Sequence, residues 1–425
     1  MIDAQIQQAR DIAAAALHRG MRDIEAGGHR AETQRVGTLG VDDGECRRGD
    51  PLLRRPCQGR RMSRHGRHRT IRCIYPRAAA RRGGIPGSAM ELNYSEVEAA
   101  AARIAGQVRP VTIAPMDHGV VRAAGDEPCQ AWLALEFMQH TGSFKARGAQ
   151  NFIRAHREGG TLPAAGVTIA SGGNAGLACA WAARQQGVRA TVFVPTTAPA
   201  IKVDRLVEYG ADVRLVGTGY DEALAACHEF AATSGALLSH AYDNELIAAG
   251  AGTLMLEIRR QLPDLDTVVV AVGGGGLFAG IATVAAHFGI RTVAVEPANC
   301  RALNVAIEAG RVVDGPVDSI AADSLGAARV TELALHAAQN YDVRSILVPD
   351  PAIVAARAAL WDCRRIAVEN GAATAFAAVT EFDGVQAYRP APGEKLCAIL
   401  CGANTNPADL APNSDADTAL LAGTA

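Results

Sequence analysis

The 425-residue chain carries 42 Lys plus Arg against 44 Asp plus Glu, with 49% hydrophobic and 20% charged residues. That length suggests about two or three domain-sized units, and the composition is that of a globular enzyme rather than a fibrous or disordered chain. A net charge of -2 provides no overall basic field, so no nucleic-acid partner is expected; no apolar run of about 18 residues is present, so no membrane span is expected either.

No basic-then-apolar leader follows Met1. The ten cysteines show neither Cys-x-x-Cys nor a framework spacing, and Cys397 and Cys401 lack a matching His/Cys pair. Reduced thiols in a cytoplasmic setting are therefore expected, and zinc is not.

Residues 1–89 hold 18 Arg and no Lys, and apart from one Ala-rich helix expected over 11–24 they show little periodicity. Such a segment buries too little surface to offset its ordering entropy. An Arg-rich arm for acidic partners and a transit peptide are two readings, the second opposed by Asp42, Asp43, Glu45 and Asp50. The favoured reading is an extension that is disordered or not native, with translation starting at Met90. Ser95 then reads as an N-cap, with Glu98 as its capping-box partner.

From there the spacing predicts a helix over 96–108 that Pro110 stops, a strand over 131–137, and a helix over 145–156 burying Ala146, Ala149, Phe152 and Ile153. An alternation follows, with strands at 167–170, 189–194, 212–216, 236–239, 267–272 and 291–296 and helices at 175–186, 199–209, 220–234, 245–261 and 277–288. Two later strands are expected at 345–348 and 396–400, and a disordered tail over 411–425. Continuous apolar strands such as 267–272 are those of parallel sheets covered on both faces, so the fold class is α/β with more than one open, mostly parallel sheet.

Four stretches carry chemistry. Lysine occurs only at 145, 202 and 395. Arg cannot lose its proton in a protein and Lys can, so Lys145 within Ser143-Phe144-Lys145 points to an amine needed for chemistry, such as a Schiff base; the alternative is a solvated lysine at a helix start. Ser171-Gly172-Gly173-Asn174-Ala175-Gly176 lies between a strand and a helix, where free N–H groups suit a carboxylate, although an ordinary loop reads the same way. Gly273-Gly274-Gly275-Gly276-Leu277 follows a strand and opens a helix. It is neither a dinucleotide fingerprint nor a P-loop, and a row of amides at the positive helix end suits a phosphate. Cys401, in Cys-Gly-Ala-Asn, reads by itself as a small buried residue.

Taken together and in this order, the four stretches resemble the fold-type II pyridoxal-phosphate enzymes, and within them the serine/threonine dehydratase branch. The resemblance runs from about residue 90 to 410 and implies a tryptophan synthase β-like fold. A small domain over 139–244 would be inserted into a large one built from 90–138 and 245–410, with the cofactor between them. Thr141-Gly142-Ser143-Phe144-Lys145-Ala146-Arg147-Gly148-Ala149 is similar to the branch's cofactor-lysine motif, with Glu136 at its acidic position. The resemblance implies that Lys145 carries pyridoxal 5'-phosphate and then acts as the base, next to Phe144. Ser171, Gly172, Gly173 and Asn174 would hold the substrate carboxylate, and Asn174 also the ring hydroxyl. Gly273 to Gly276 and Leu277 would hold the phosphate, and Cys401 would lie beside the ring nitrogen. Gly172 stands where racemase relatives carry a serine, which speaks against racemisation. Glu296 sits where some relatives bind a cation; Ala302 replaces a second acid there, leaving a monovalent ion as the expectation.

The expected reaction is deamination of L-threonine or L-serine to 2-oxobutanoate or pyruvate plus ammonia, by a cytoplasmic homodimer. A β-replacement enzyme such as a cysteine synthase, or a racemase, is the alternative within the family. A non-catalytic nucleotide- or DNA-binding protein is the alternative outside it.

Overall fold

The computed structural model describes residues 91–125 and 127–410. The Arg-rich 1–89 segment, the start at Met90 and the 411–425 tail lie outside the described residues. Helix α1, Tyr94–Ile104, begins two residues earlier than its sequence suggests. Asn93, in extended geometry, is the N-cap, and Glu96 reaches back to its N–H at 2.7 Å, so the expected Ser95 and Glu98 pair does not form the cap. The helix also ends well before Pro110: Ala105 leaves helical geometry, and Gly106 turns the chain at φ +71°.

Two sheets follow. The larger has six strands: β1 (Ile113–Pro115), β2 (Gln130–Ala134), β7 (Thr267–Ala271), β8 (Arg291–Pro297), β9 (Val343–Val348) and β10 (Lys395–Ile399). Their order is β1-β2-β10-β7-β8-β9, parallel throughout except for the antiparallel β1–β2 pair. The smaller sheet holds β3 (Val167–Ala170), β4 (Ala190–Val194), β5 (Asp212–Leu215) and β6 (Leu237–Leu238) in the order β5-β4-β3-β6, all parallel. Every residue of β3, β4 and β7 is buried, which is why these strands read as unbroken apolar runs.

The alternation expected over 167–296 is present. Helices α3 (Asn174–Gln185), α4 (Ala200–Glu208), α5 (Tyr220–Ser234), α6 (Glu245–Gln261) and α7 (Gly276–His287) link these strands. Five further helices, unforeseen in the sequence, come after residue 300: α8 (Ala302–Ala309), α9 (Ala322–Leu325), α10 (Glu332–Asn340), α11 (Asp350–Arg364) and α12 (Asn370–Ala377). In α12 every residue from Gly371 to Ala377 is buried, so it has no polar face to supply a helical period.

Helix α2, Lys145–Glu158, holds the next difference. Ala146, Ala149, Phe152 and Ile153 are buried as expected, but so are Arg147, Gly148, Gln150 and Asn151, because α1, α3 and α6 all pack on this helix. Gly148 and Gly250 let α2 and α6 approach closely: a Cβ at Gly148 would lie 2.7 Å from the Ile247 carbonyl oxygen. Arg147 is fully enclosed. Its guanidinium donates to both Glu136 oxygens at 2.7 and 3.0 Å and to both Glu257 oxygens at 2.7 and 2.9 Å. Glu136 belongs to a 3-10 turn, Glu136–Met138, which ends strand β2 three residues short of the expected 137. Burial works against the charge on Arg147, but the two carboxylates outweigh it and push its pKa up.

Replacing Arg147 with Met leaves the Glu136 carboxylate enclosed without its partner. We expect a loss of about 3–5 kcal/mol in the urea unfolding of the apo-protein; a loss below ~1 kcal/mol would show that this cluster does not anchor α2.

Candidate active site

Lys145 opens α2, and the turn before it is stitched to the segment after β10. The Phe144 N–H donates to the Cys401 carbonyl at 2.9 Å, and the Ala403 N–H to the Gly142 carbonyl at 2.8 Å. Gly142 makes the turn at φ +72°. Two segments some 250 residues apart in the chain thus present Lys145 and Cys401 to one cleft of about 420 Å³. The same cleft is lined by 171–175 and by 273–278, so all four stretches singled out in the sequence meet there.

The Lys145 ammonium lies 4.6 Å from the centre of the Phe144 ring and donates to the Ala241 carbonyl at 3.3 Å. Burial pushes its pKa down, opposed by the charge of Glu369. Burial, reinforced by Glu369, pushes the Cys401 thiol up, so it is neutral at ordinary pH.

The four glycines join β7 to the start of α7. Gly275 takes φ +97°, and a Cβ there would overlap the Ala334 side chain. Gly274 packs against the Tyr242 ring, where a Cβ would also overlap. The turn is thus packed against Tyr242 and Ala334 while it lines the cleft, with the first N–H groups of α7 lacking intrahelical partners. Asn174 opens α3 in the same manner. Its amide nitrogen donates to both Glu369 oxygens at 2.9 and 3.1 Å, and its oxygen accepts from the Asn404 side chain at 2.7 Å. Such a cleft can hold anions at two helix starts on either side of a nucleophilic amine.

Sequence reasoning missed Glu369, Asn404 and Tyr242. Glu369 is 4% exposed, lines the cleft and is pushed up to about 7 by burial, with Asn174 and Lys145 acting the other way. Its only signal in the chain is an acid between Val368 and an Ala-rich run, which reads equally well as a helix cap. Glu296 does not line the cleft. Its two oxygens accept the N–H groups of Leu303 at 2.7 Å and Asn304 at 2.8 Å, so this carboxylate caps α8. Among the described residues no three His, Cys, Asp or Glu side chains cluster as metal ligands.

A family model described as "Pyridoxal-phosphate dependent enzyme" matches residues 119–402. The chain belongs to this family. The L-threonine ammonia-lyase of Geobacter sulfurreducens is 34% identical over 64% of this chain and 67% of its own length. The L-serine dehydratase/L-threonine deaminase of Bos taurus is 32% identical over 64% of this chain and 85% of its own. Among solved structures, maize serine racemase superposes with a TM-score of 0.69 at 27% identity, covering 78% of this chain and all of its own. The chain spans 52–53% of the length of the biosynthetic threonine dehydratases that it also matches. The enzyme thus lies in the fold-type II serine/threonine dehydratase group that its motifs resemble, and its cofactor is pyridoxal 5'-phosphate. The residues fit that cofactor: the cleft is large enough, Lys145 offers an amine, and the glycine turn that lines the cleft opens α7 with unpaired N–H groups. Among the described residues no helix is long and apolar enough to cross a membrane.

Two outcomes follow from this geometry. Gly275→Ala forces a left-handed backbone and a clash with Ala334, so the enzyme should bind pyridoxal phosphate at least about tenfold more weakly by absorbance titration; unchanged affinity would remove the turn from the site. Burial raises Glu296 to about 7, above the usual 4.5, so the folded chain holds this proton more tightly than the unfolded one. The Glu296 contribution is therefore favourable below about 4.5 and is lost as pH rises towards 7. In that window Glu296→Gln should flatten the stability of the apo-protein against pH by up to about 1.4 kcal/mol per pH unit. The same change in urea-unfolding free energy between pH 5 and pH 7 in the variant and the parent would contradict it.

Proposed function

We propose that this enzyme eliminates the β-hydroxyl of L-threonine or L-serine, releasing ammonia and 2-oxobutanoate or pyruvate. The observation that carries the reading is a lysine amine whose pKa burial depresses, enclosed in one cleft with two anion-binding helix starts and a neutral thiol. The names of the relatives support the same substrates.

In this reading Ser171, Gly172, Gly173 and Asn174 hold the substrate carboxylate at the start of α3. Gly273, Gly274, Gly275, Gly276 and Leu277 hold the cofactor phosphate, and Phe144 packs beside it. When bound, pyridoxal phosphate supplies an electron-accepting ring conjugated to the substrate α-carbon. The burial that lowers the Lys145 pKa favours the uncharged amine, the form that takes the α-proton. The β-hydroxyl then departs as water, taking up one proton in place of the one that Lys145 removed. Hydrolysis of the released enamine by a second water gives the 2-oxo acid and ammonia. A neutral Cys401 offers the ring nitrogen no anionic partner, and that favours prompt elimination over a long-lived carbanion. Gly172 supplies no acid on the opposite face of the substrate. Its position is also tight: a Cβ there would lie 3.2 Å from Val194 Cγ1. Both features favour one-sided proton chemistry over racemisation.

The two-domain division at 139–244 belongs to the same reading, with the four-stranded sheet as the core of the smaller domain. So does a cytoplasmic homodimer: the cysteines among the described residues are free, as in a reducing compartment, and the dimer follows from the resemblance to the family.

The test is a 2-oxo acid assay with absorbance spectra recorded before and after adding each amino acid. Lys145→Ala should lose the substrate-sensitive visible band and at least about 100-fold in rate. L-threonine and L-serine differ by one methyl, so both should be turned over with kcat/KM values within about 200-fold of each other. Full activity in the Lys145 variant, or no 2-oxo acid from either amino acid, would overturn the assignment.

A further inference from the structure

Glu369 presents a problem of physical chemistry that the reaction as described does not use. It occupies the N-cap position of α12, with φ -72° and ψ 159°, yet its side chain does not cap that helix. A carboxylate buried without such a role is costly unless it is hydrogen-bonded elsewhere. Both of its oxygens are directed at the Asn174 amide nitrogen. The chain keeps room for this: a Cβ at Gly402 would overlap the Glu369 carboxylate.

The opposite end of the Asn174 amide is held as well. The Asn404 side-chain nitrogen donates to Asn174 Oδ1 at 2.7 Å and to the Thr141 carbonyl at 2.8 Å, while Arg205 donates to Asn404 Oδ1 at 3.2 Å. The line therefore runs Arg205, Asn404, Asn174, Glu369. Arginine can only donate. With that end fixed in kind, the Asn404 oxygen faces Arg205, its nitrogen faces Asn174 Oδ1, and the Asn174 nitrogen is left facing Glu369. Arg205 and Asn174 lie on α4 and α3, which pack with the four-stranded sheet; Asn404 and Glu369 lie after β10 and at the start of α12, on the six-stranded side. The line thus passes from one wall of the cleft to the other at each step.

We propose that Glu369 is a positioning residue for Asn174: with Asn404 it holds the amide at both ends, so that Asn174 meets cofactor and substrate with an N–H rather than with its oxygen. An amide nitrogen carries two hydrogens. One is taken by Glu369, and the second remains for an anionic oxygen of the ligand. A reversed amide would turn its carbonyl towards that oxygen and repel it. This proposal rests on the reading of Asn174 as a cofactor and substrate contact.

The test is a double-mutant cycle on enzyme stripped of cofactor and titrated back with pyridoxal phosphate, with the visible band of the bound form recorded. Asn174→Ala and Glu369→Leu, which removes the acceptor, should each raise the dissociation constant by roughly tenfold or more. The double variant should be no weaker than the worse single one, and the band should shift to the same position in all three. Glu369→Gln and Glu369→Asp, which keep an acceptor oxygen, should recover part of the loss. Should Glu369→Leu not fold, Asn404→Asp takes its place; it sets an acceptor against Asn174 Oδ1 and should show the same lack of additivity. Losses that multiply, or a loss in Asn174→Ala with none in Glu369→Leu, would overturn the positioning role and leave the proposed function standing. No loss in Asn174→Ala would overturn both the positioning role and the reading of Asn174 as a contact.

Discussion

The placement of Lys145 depends on a guanidinium two residues away. Arg147 is enclosed by Glu136 and Glu257, with further hydrogen bonds to the Thr253 hydroxyl and the Arg109 carbonyl. This cluster ties α2 to the turn after β2 and to α6 at once, so the first turn of α2 cannot rotate or slide without separating buried charges. An arginine suits the position because its fork satisfies two carboxylates together, which a lysine cannot do. A rigid helix start then allows the amine next to it to be held partly out of water, and that lowers its pKa.

Around that amine the cleft uses backbone more than side chains. Two helix starts, at Asn174 and Gly276, face a common space and offer N–H groups to anions at fixed positions. The glycines serve this arrangement through close packing: Tyr242 and Ala334 pack directly against the turn, and any side chain on Gly274 or Gly275 would have to displace them. The titratable side chains near Lys145 are few and unlike one another. Cys401 stays neutral, while Glu369 lies close to its own midpoint near neutral pH and answers to Asn174. Of these, Glu369 is the carboxylate that acts against the burial of the Lys145 charge.

Much of this could be read from the chain. Strands 167–170 and 267–272 are apolar runs bounded by glycine, and runs of that kind form central strands wherever helices cover both faces. Lys145 stood out because the chain otherwise uses arginine almost everywhere, and the glycine turn because four adjacent glycines have few other uses. Helix α12 was not legible, since it is buried on all sides and shows no amphipathic period. The cap of α1 was misplaced by two residues because Ser95 and Glu98 match the same pattern as Asn93 and Glu96.

The sequence by itself determined the α/β class, the places of the central strands along the chain and the four stretches that carry chemistry, because those depend on local periodicity and on residue type. Only the tertiary structure decided which distant groups meet. Glu369 and Asn404 gained their places against Asn174 through contacts spanning 195 and 230 residues of chain, and Glu296 became a helix cap through its contact with α8. A carboxylate in a sequence carries no mark of its acceptors or donors; burial and hydrogen-bond partners are properties of the folded chain, and they set what the group does.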